Sequence, residues 1–275
     1  MILFPNCKIN LGLHILRKRS DGFHDIETIF YPFPLADALE IIPSSKDGDL
    51  SIHLTTSGIP VAGSSESNLC VKAYNLLKRD YPQLLSVSIH LHKVIPSGAG
   101  LGGGSSDAAF IIKALNEIGQ LNLSKERMAE YALKLGSDCP FFLINKPCFA
   151  TGQGEQLEEY PIDLSEFNIM IVNPGIHVDT GKAFADITPA IASTSLKEIV
   201  SQPIANWKNQ LTNDFENSVF ETYKEIAEIK TELYNLGAIY ASMSGSGSTL
   251  YGIFEKDKKI AHSFPAHYFI KTSVG

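Results

Sequence analysis

From residue 7 to residue 15 the apolar positions Cys7, Ile9, Leu11, Leu13 and Ile15 alternate with Lys8, Asn10, Gly12 and His14. A period of two separates them onto opposite faces of a strand, so the pattern predicts a half-buried strand with Lys8 and Asn10 together on the other face. Further strand-like runs cover 38–42, 50–55 and 87–95, and apolar residues recur at helical spacing over 68–78 and 105–119. A helix over 125–135 ends at Gly136, where a glycine suits the left-handed position that closes a helix. The first half reads as a mixed α and β domain with its strands mostly early.

The pattern changes after Gly152 and Gly154, among turn residues and the acidic pair Glu158 and Glu159, which places a domain boundary there: residues 1–153 and residues 154–275. Beyond it the spacing predicts a strand over 169–173, a helix over 219–236 closed by Gly237, and strands over 238–243 and 249–254. A short helical stretch from Asp257 and a strand over 267–272 complete the order β-α-β-β-α-β, the ferredoxin-like arrangement. No internal repeat or low-complexity segment interrupts it.

A chain of 275 residues, 44% hydrophobic and 19% charged, has ample apolar material for a packed interior. Thirty acidic against 23 basic residues give a net charge of −7, which argues against a broad nucleic-acid-binding surface. A phosphate-bearing ligand stays open, because backbone amides and a few lysines suffice to bind one. No apolar run approaches the ~20 residues that span a bilayer, and the opening stretch lacks the features of a signal peptide, so the expectation is a cytoplasmic protein without membrane contact. Cys7, Cys70, Cys139 and Cys148 are scattered without zinc-ligand spacing, and read as buried or incidental thiols.

The densest signal is the run Pro96, Ser97, Gly98, Ala99, Gly100, Leu101, Gly102, Gly103, Gly104, Ser105, Ser106, Asp107, Ala108, Ala109, which leads into a helical pattern. So little side chain lets backbone amides approach a ligand, and at a helix start the unpaired N–H groups and the positive dipole end converge on an anion such as a polyphosphate. Ser105 and Ser106 add hydroxyls, as donors or as a metal ligand. Gly98, Gly100 and Gly103 also satisfy the dinucleotide-binding spacing G-x-G-x-x-G, but the context is wrong. That fingerprint needs a buried parallel strand ending at the first glycine, whereas 86–93 alternates and Pro96-Ser97 intervenes. No lysine follows the glycines, so the P-loop pattern fails too. A glycine turn with no ligand is the plain alternative.

Three blocks in order resemble the GHMP kinases: the strand with Lys8 and Asn10, the glycine-rich loop, and the late segment Met243-Ser244-Gly245-Ser246-Gly247-Ser248. The resemblance implies an α+β fold, with an N-terminal domain like domain 2 of ribosomal protein S5 beside a ferredoxin-like C-terminal domain and the active site between them. It implies ATP as co-substrate and Mg2+ as cofactor. A narrower match runs through 7–13, Lys18-Arg19-Ser20-Asp21-Gly22-Phe23-His24, 136–142 and 212–216. It is similar to the branch of that family whose acceptor is CDP-methylerythritol, phosphorylated on its 2-hydroxyl in the non-mevalonate route to isoprenoid precursors. Phe23 departs from the tyrosine usual before the histidine; stacking survives that change and a phenolic hydrogen bond does not.

Phosphoryl transfer to an alcohol needs a positioned hydroxyl, a group to take its proton, and positive charge against the transferring group. The resemblance makes Asp138 the general base and Lys8 the cation; the bland alternatives are a cap before Pro140-Phe141 and an exposed strand lysine. Residues 96–106 and Asn68 are expected to bind ATP, although an asparagine before an apolar helix is also a normal N-cap. Asn10, Phe23, His24, Thr180 and Phe184 are expected to bind the substrate, with two aromatic rings sandwiching a pyrimidine and His24 bonding its edge. Gly245 and Gly247 bring backbone close to the loop or make a tight turn, while Asn213, Asp214 and Glu216 read as structural support. The sequence names no metal ligands and no oligomeric state. Rival readings are a homoserine or mevalonate-type kinase, a non-catalytic ligand sensor of the same fold, and a nicotinamide-dependent oxidoreductase.

Overall fold

The computed structural model describes residues 1–44, 52–185, 187–190 and 194–273. Its strands are β1 (Ile2–Leu3), β2 (Asn6–Lys18), β3 (His24–Ala36), β4 (Ala38–Ser44), β5 (Ile52–Gly58), β6 (Ser86–Lys93), β7 (Cys148–Thr151), β8 (Gln156–Glu159), β9 (Phe167–Asn173), β10 (Tyr240–Met243), β11 (Leu250–Glu255) and β12 (Phe269–Thr272). The helices are α1 (Leu69–Asp80), α2 (Gly103–Ile118), α3 (Lys125–Leu133), α4 (Cys139–Ile144), α5 (Thr180–Ala185), α6 (Leu196–Val200), α7 (Phe215–Thr222) and α8 (Lys224–Asn235). Packing divides the chain into one compact unit of Met1–Cys7, Pro34–Ser97 and Gly102–Asn145, and a second of Lys8–Phe33, Gly98–Leu101 and Lys146–Gly275. This grouping runs differently from a single cut between 153 and 154, because the first hairpin and four residues of the glycine loop pack with the C-terminal half.

In the first unit a four-stranded sheet has the order β1-β4-β6-β5, with β5 parallel to β6. Its inward positions Leu39, Ile41, Val87, Ile89 and Leu91 pack with Tyr74 and Leu77 of α1 and with Ile111, Ile112 and Leu115 of α2. The apolar faces expected over 68–78 and 105–119 are those that face this sheet. Asn68 Oδ1 accepts the Cys70 N–H at 2.9 Å, the capping geometry that opens α1. The strand expected over 50–55 begins at Ile52, and Leu50 and Ser51 lie outside the described residues. Gly136 is not left-handed, unlike the glycine anticipated there. The α3 helix ends at Leu133, and Leu135 and Gly136 still donate to the Ala132 carbonyl.

In the second unit the sheet order β10-β11-β9-β12 is antiparallel throughout, the 4-1-3-2 order of a ferredoxin-like sheet read from its far edge. Met170, Val172, Ala241, Leu250 and Phe254 pack under Phe215, Val219, Ile226, Ile229 and Leu233 of α7 and α8. The helix expected over 219–236 is two helices, because Tyr223 leaves helical geometry at φ −121° and ψ 84°. Gly237 closes α8 at φ +86°, as anticipated. The second crossover differs: among the described residues no helix follows Asp257, and the chain turns directly toward β12. The sheet β2-β3-β7-β8 completes this unit, and the strand β3 was not anticipated. Pro32 and Pro34 and its mixed burial hide its period.

Strand β2 corrects a further expectation. It is buried on both faces, with Lys8 3%, Asn10 2% and His14 5% exposed. The same unit surrounds its polar side chains: the Lys8 ammonium lies over the Phe30 ring, Asn10 Nδ2 bonds the Thr28 hydroxyl, and the Thr212 hydroxyl lies 3.4 Å from His14 Nε2. All four cysteines are buried, and among the described residues no helix is long and apolar enough to cross a membrane.

Candidate active site

The first unit holds Asn68, Pro96, Ser97, Gly102, Gly103, Gly104, Ser105, Ser106 and Asp138. Gly102 occupies the N-cap of α2 in the left-handed region at φ +69°, a conformation that glycine adopts without strain. The first-turn amides of this 16-residue helix therefore follow a residue with no side chain to shield them. Gly104 is exposed at this end, and the Ser106 hydroxyl is buried with no hydrogen-bond partner. Ser105 reaches the Cys139 thiol, whose ionisation burial pushes up to about 12. That contact joins the helix start to the turn bearing Asp138. Asp138 is half-buried at the N-cap position of α4, yet its side chain makes no capping bond there. The proposed rival role as a cap is therefore not the one its carboxylate performs.

Beneath the start of α2 lies a cluster that the sequence did not single out. The Lys93 ammonium bonds Asp37 and, at 2.8 Å, Asp107, all three being at most 3% exposed. Asp37 also accepts the N–H groups of Val94 at 2.5 Å and Ile95 at 2.9 Å, fixing the chain as it leaves β6. A Cβ on Gly103 would come within 2.8 Å of the Ile95 side chain and 3.4 Å of the Lys93 ammonium, so this glycine lets the helix sit against the strand end. Burial pushes the Asp107 carboxyl up to about 7, against the attraction of Lys93 and with the help of Asp37. Burial pulls Lys93 down, and the two carboxylates outweigh it to give a net rise.

The second unit holds Lys8, Asn10, Phe23, His24, Gly98, Ala99, Gly100, Leu101, Thr180 and Phe184. The Lys8 ammonium donates to Asn10 Oδ1 at 2.5 Å and lies 5.0 Å from the Phe30 ring centre. Asn10 Nδ2 donates to the Thr28 hydroxyl at 3.0 Å, and that hydroxyl donates to the Gly12 carbonyl at 2.6 Å. The Lys8 N–H donates to the Leu101 carbonyl at 3.0 Å, which ties the strand to the glycine loop. Gly245 approaches closely, as anticipated: its Cβ position would lie 3.3 Å from Gly100 Cα. Asn213 and Glu216 support this segment through Met243, Gly245 and Ser242, in keeping with the structural part expected of them.

The aromatic residues are arranged differently from a ready sandwich. His24 stacks on Phe184 with ring centres 4.8 Å apart and planes 14° apart, and Phe215 meets Phe184 edge-on at 4.8 Å. The expected sandwich joins Phe23 and Phe184 with His24 at the base edge, whereas here His24 itself covers one face of the Phe184 ring. Phe23 is 58% exposed. Burial, and after it the Lys18 charge, hold the His24 imidazole below its ordinary value, which favours the neutral ring. Thr180 Oγ1 meets Ser246 Oγ at 2.8 Å, linking the start of α5 to the late glycine segment.

Sequence reasoning missed Thr28, Asp37, Lys93 and Asp107. Asp107 stood in the glycine-rich run itself, but nothing in the order of residues ties it to Asp37, 70 positions earlier. Among the described residues no three His, Cys, Asp or Glu side chains group as metal ligands.

Comparison with known proteins bears on the same residues. The description "GHMP kinases N terminal domain" matches residues 68–146, and "GHMP kinases C terminal" matches 195–269. A 4-diphosphocytidyl-2-C-methyl-D-erythritol kinase of Bacteroides fragilis is 50% identical over 275 residues, all of both chains. One of Bacteroides thetaiotaomicron is 52% identical over 257 residues, covering 94% of this chain and 93% of its own. The crystal structure of a 4-(cytidine 5'-diphospho)-2C-methyl-D-erythritol kinase superposes with a TM-score of 0.79 at 31% identity, over 92% of this chain and 90% of that one. A buried lysine held by an asparagine, a left-handed glycine at a helix start and a ferredoxin-like sheet thus occur in a chain that belongs to the GHMP kinases.

Proposed function

We propose that this protein transfers the γ-phosphate of ATP to the 2-hydroxyl of 4-diphosphocytidyl-2-C-methyl-D-erythritol, in the non-mevalonate route to isoprenoid precursors. The observation that carries the reading is identity of 50% along the whole chain with a kinase of that name. In this reading the hydroxyl oxygen attacks the γ-phosphorus, the bond to the β-phosphate oxygen breaks, ADP leaves, and the hydroxyl proton passes to Asp138. Lys8, buried and held by Asn10, orients the hydroxyl and opposes the charge that develops on the transferring group.

The amides of residues 98–104, with Pro96, Ser97, Ser105 and Ser106 around them, take the triphosphate, and Asn68 lies at the adenine end. The orphaned Ser106 hydroxyl fits a role toward magnesium, with Ser105 beside it, since Mg2+ usually takes few protein ligands and keeps its phosphate oxygens and waters. When bound, the ion neutralises charge on the phosphate oxygens. Phe23, His24, Thr180 and Phe184 take the cytidine end. His24, neutral at ordinary pH, is suited to accept from or donate to a base edge.

The test is incubation with ATP, magnesium and a panel of alcohols, reading ADP release. The proposal expects release with the CDP-linked alcohol alone. Turnover of homoserine or mevalonate instead would move the protein to another branch of the family, and no turnover with tight ligand binding would make it a sensor.

A further inference from the structure

Within the second unit, groups distant in sequence meet at the Ser244 side chain, which is fully buried. Its hydroxyl donates to the Gly100 carbonyl at 2.8 Å and accepts the Asn10 N–H at 3.2 Å. Asn10 Oδ1 in turn receives the Lys8 ammonium at 2.5 Å. The Asn10 amide has one orientation available, because the Thr28 hydroxyl gives its own proton to Gly12 and can only accept from Asn10 Nδ2. Oδ1 therefore faces Lys8. At Gly100 a Cβ would fall 2.0 Å from the Ser244 carbonyl oxygen, so loop and segment lie backbone against backbone with no room for slack. The segment is itself fixed. Asn213 Nδ2 donates to the carbonyls of Met243 and Gly245 at 2.8 Å each, and Glu216 accepts the Met243 N–H at 2.8 Å.

We infer that Ser244 is a positioning residue for phosphoryl transfer: its one hydroxyl joins the glycine loop to Lys8 through Asn10, so that the loop backbone and the ammonium keep a single relative geometry. The inference rests on the kinase reading above. Ser244 acts through Lys8 and touches no reacting atom, so its loss should matter only while Lys8 is there to be placed.

A double-mutant cycle on the full chain tests this, with kcat, both KM values and Tm measured for Ser244→Ala, Lys8→Ala and the double variant. Ser244→Ala should lower kcat about tenfold, the loss expected of one buried hydrogen bond to a reacting assembly, with each KM changed less than threefold. In the Lys8→Ala background the same change should lower kcat less than twofold, since the interaction it serves is already gone. Thr28→Val, nearly isosteric, removes the acceptor of Asn10 Nδ2 and so loosens the amide that holds Lys8, and it should show the same dependence on Lys8 if Ser244→Ala fails to fold. Equal losses in both backgrounds, or a loss confined to Tm or KM, would overturn the positioning role while leaving the kinase intact. A Lys8→Ala variant as active as the unaltered protein would instead overturn the part given to Lys8.

Discussion

Asp138 sits at the N-cap position of α4 without a side-chain bond to its first turn, and Asp138→Asn keeps the side chain's shape while removing the basic carboxylate. Asp138→Asn is expected to lower kcat by about 10²–10⁴-fold, with ATP affinity nearly unchanged. Steady-state kinetics beside nucleotide binding measures both, and full turnover would remove it as the base. His24 and Phe184 divide differently. The uridine analogue of the substrate should be a poorer acceptor, because reversing the base's donor and acceptor leaves desolvated groups mismatched at about 1–3 kcal/mol each. His24→Ala should erode that preference, whereas Phe184→Ala should weaken both analogues alike; kcat/KM for the two compounds reads the difference. At Asp107 the question is stability. Burial raises its carboxyl from 3.8 to about 7 in the folded protein, against the attraction of Lys93 and with the help of Asp37. Between those pH values the unfolded chain has released a proton that the folded protein retains, so stability should fall as pH rises from about 4 to about 7. Urea midpoints across that range should flatten in Asp107→Asn, even if that variant is less stable throughout.

At the scale of elements, the start of α2 allows a cleaner test than the glycine that caps it. Gly102 is left-handed at φ +69°, so any side chain there strains the backbone as well as blocking a ligand. Gly104 is exposed, has no positive φ, and an added Cβ would meet only Leu69 Cδ1 at an ordinary 3.6 Å. Gly104→Ala should keep or add stability, by up to about 1 kcal/mol of helix propensity and with Tm unchanged or higher, while raising KM for ATP if phosphate approaches these amides. An unchanged KM would move the phosphate away from this turn. The helix itself was legible because Ala108, Ala109, Ile111, Ile112 and Leu115 recur at its period. The start of α4 was not, since six residues give a period too little length to show.

For the whole molecule, ligands that bind only the folded state should stabilise it by mass action, by about 2.7 kcal/mol at a hundredfold excess over Kd, and so raise Tm. Thermal scans should move upward with magnesium-ATP and with the CDP-linked alcohol, and stay still with NAD, homoserine or mevalonate. A shift with NAD would restore the dinucleotide reading of Gly98, Gly100 and Gly103. The sequence alone determined the class of the chain. The alternation of β2, the helical periods and the glycine run are local, each carried by neighbours a few positions apart; the family, and with it the parts proposed for Lys8 and Asp138, came from the resemblance of short blocks to known kinases. Tertiary structure decided what no local pattern carries. Lys8 looked like one residue of a half-buried strand because what covers it lies far along the chain, Phe30 included. The Lys93 cluster, the His24–Phe184 stack and the bonds of Ser244 are likewise meetings of residues whose spacing along the chain has no period, so only the folded backbone brings them into contact.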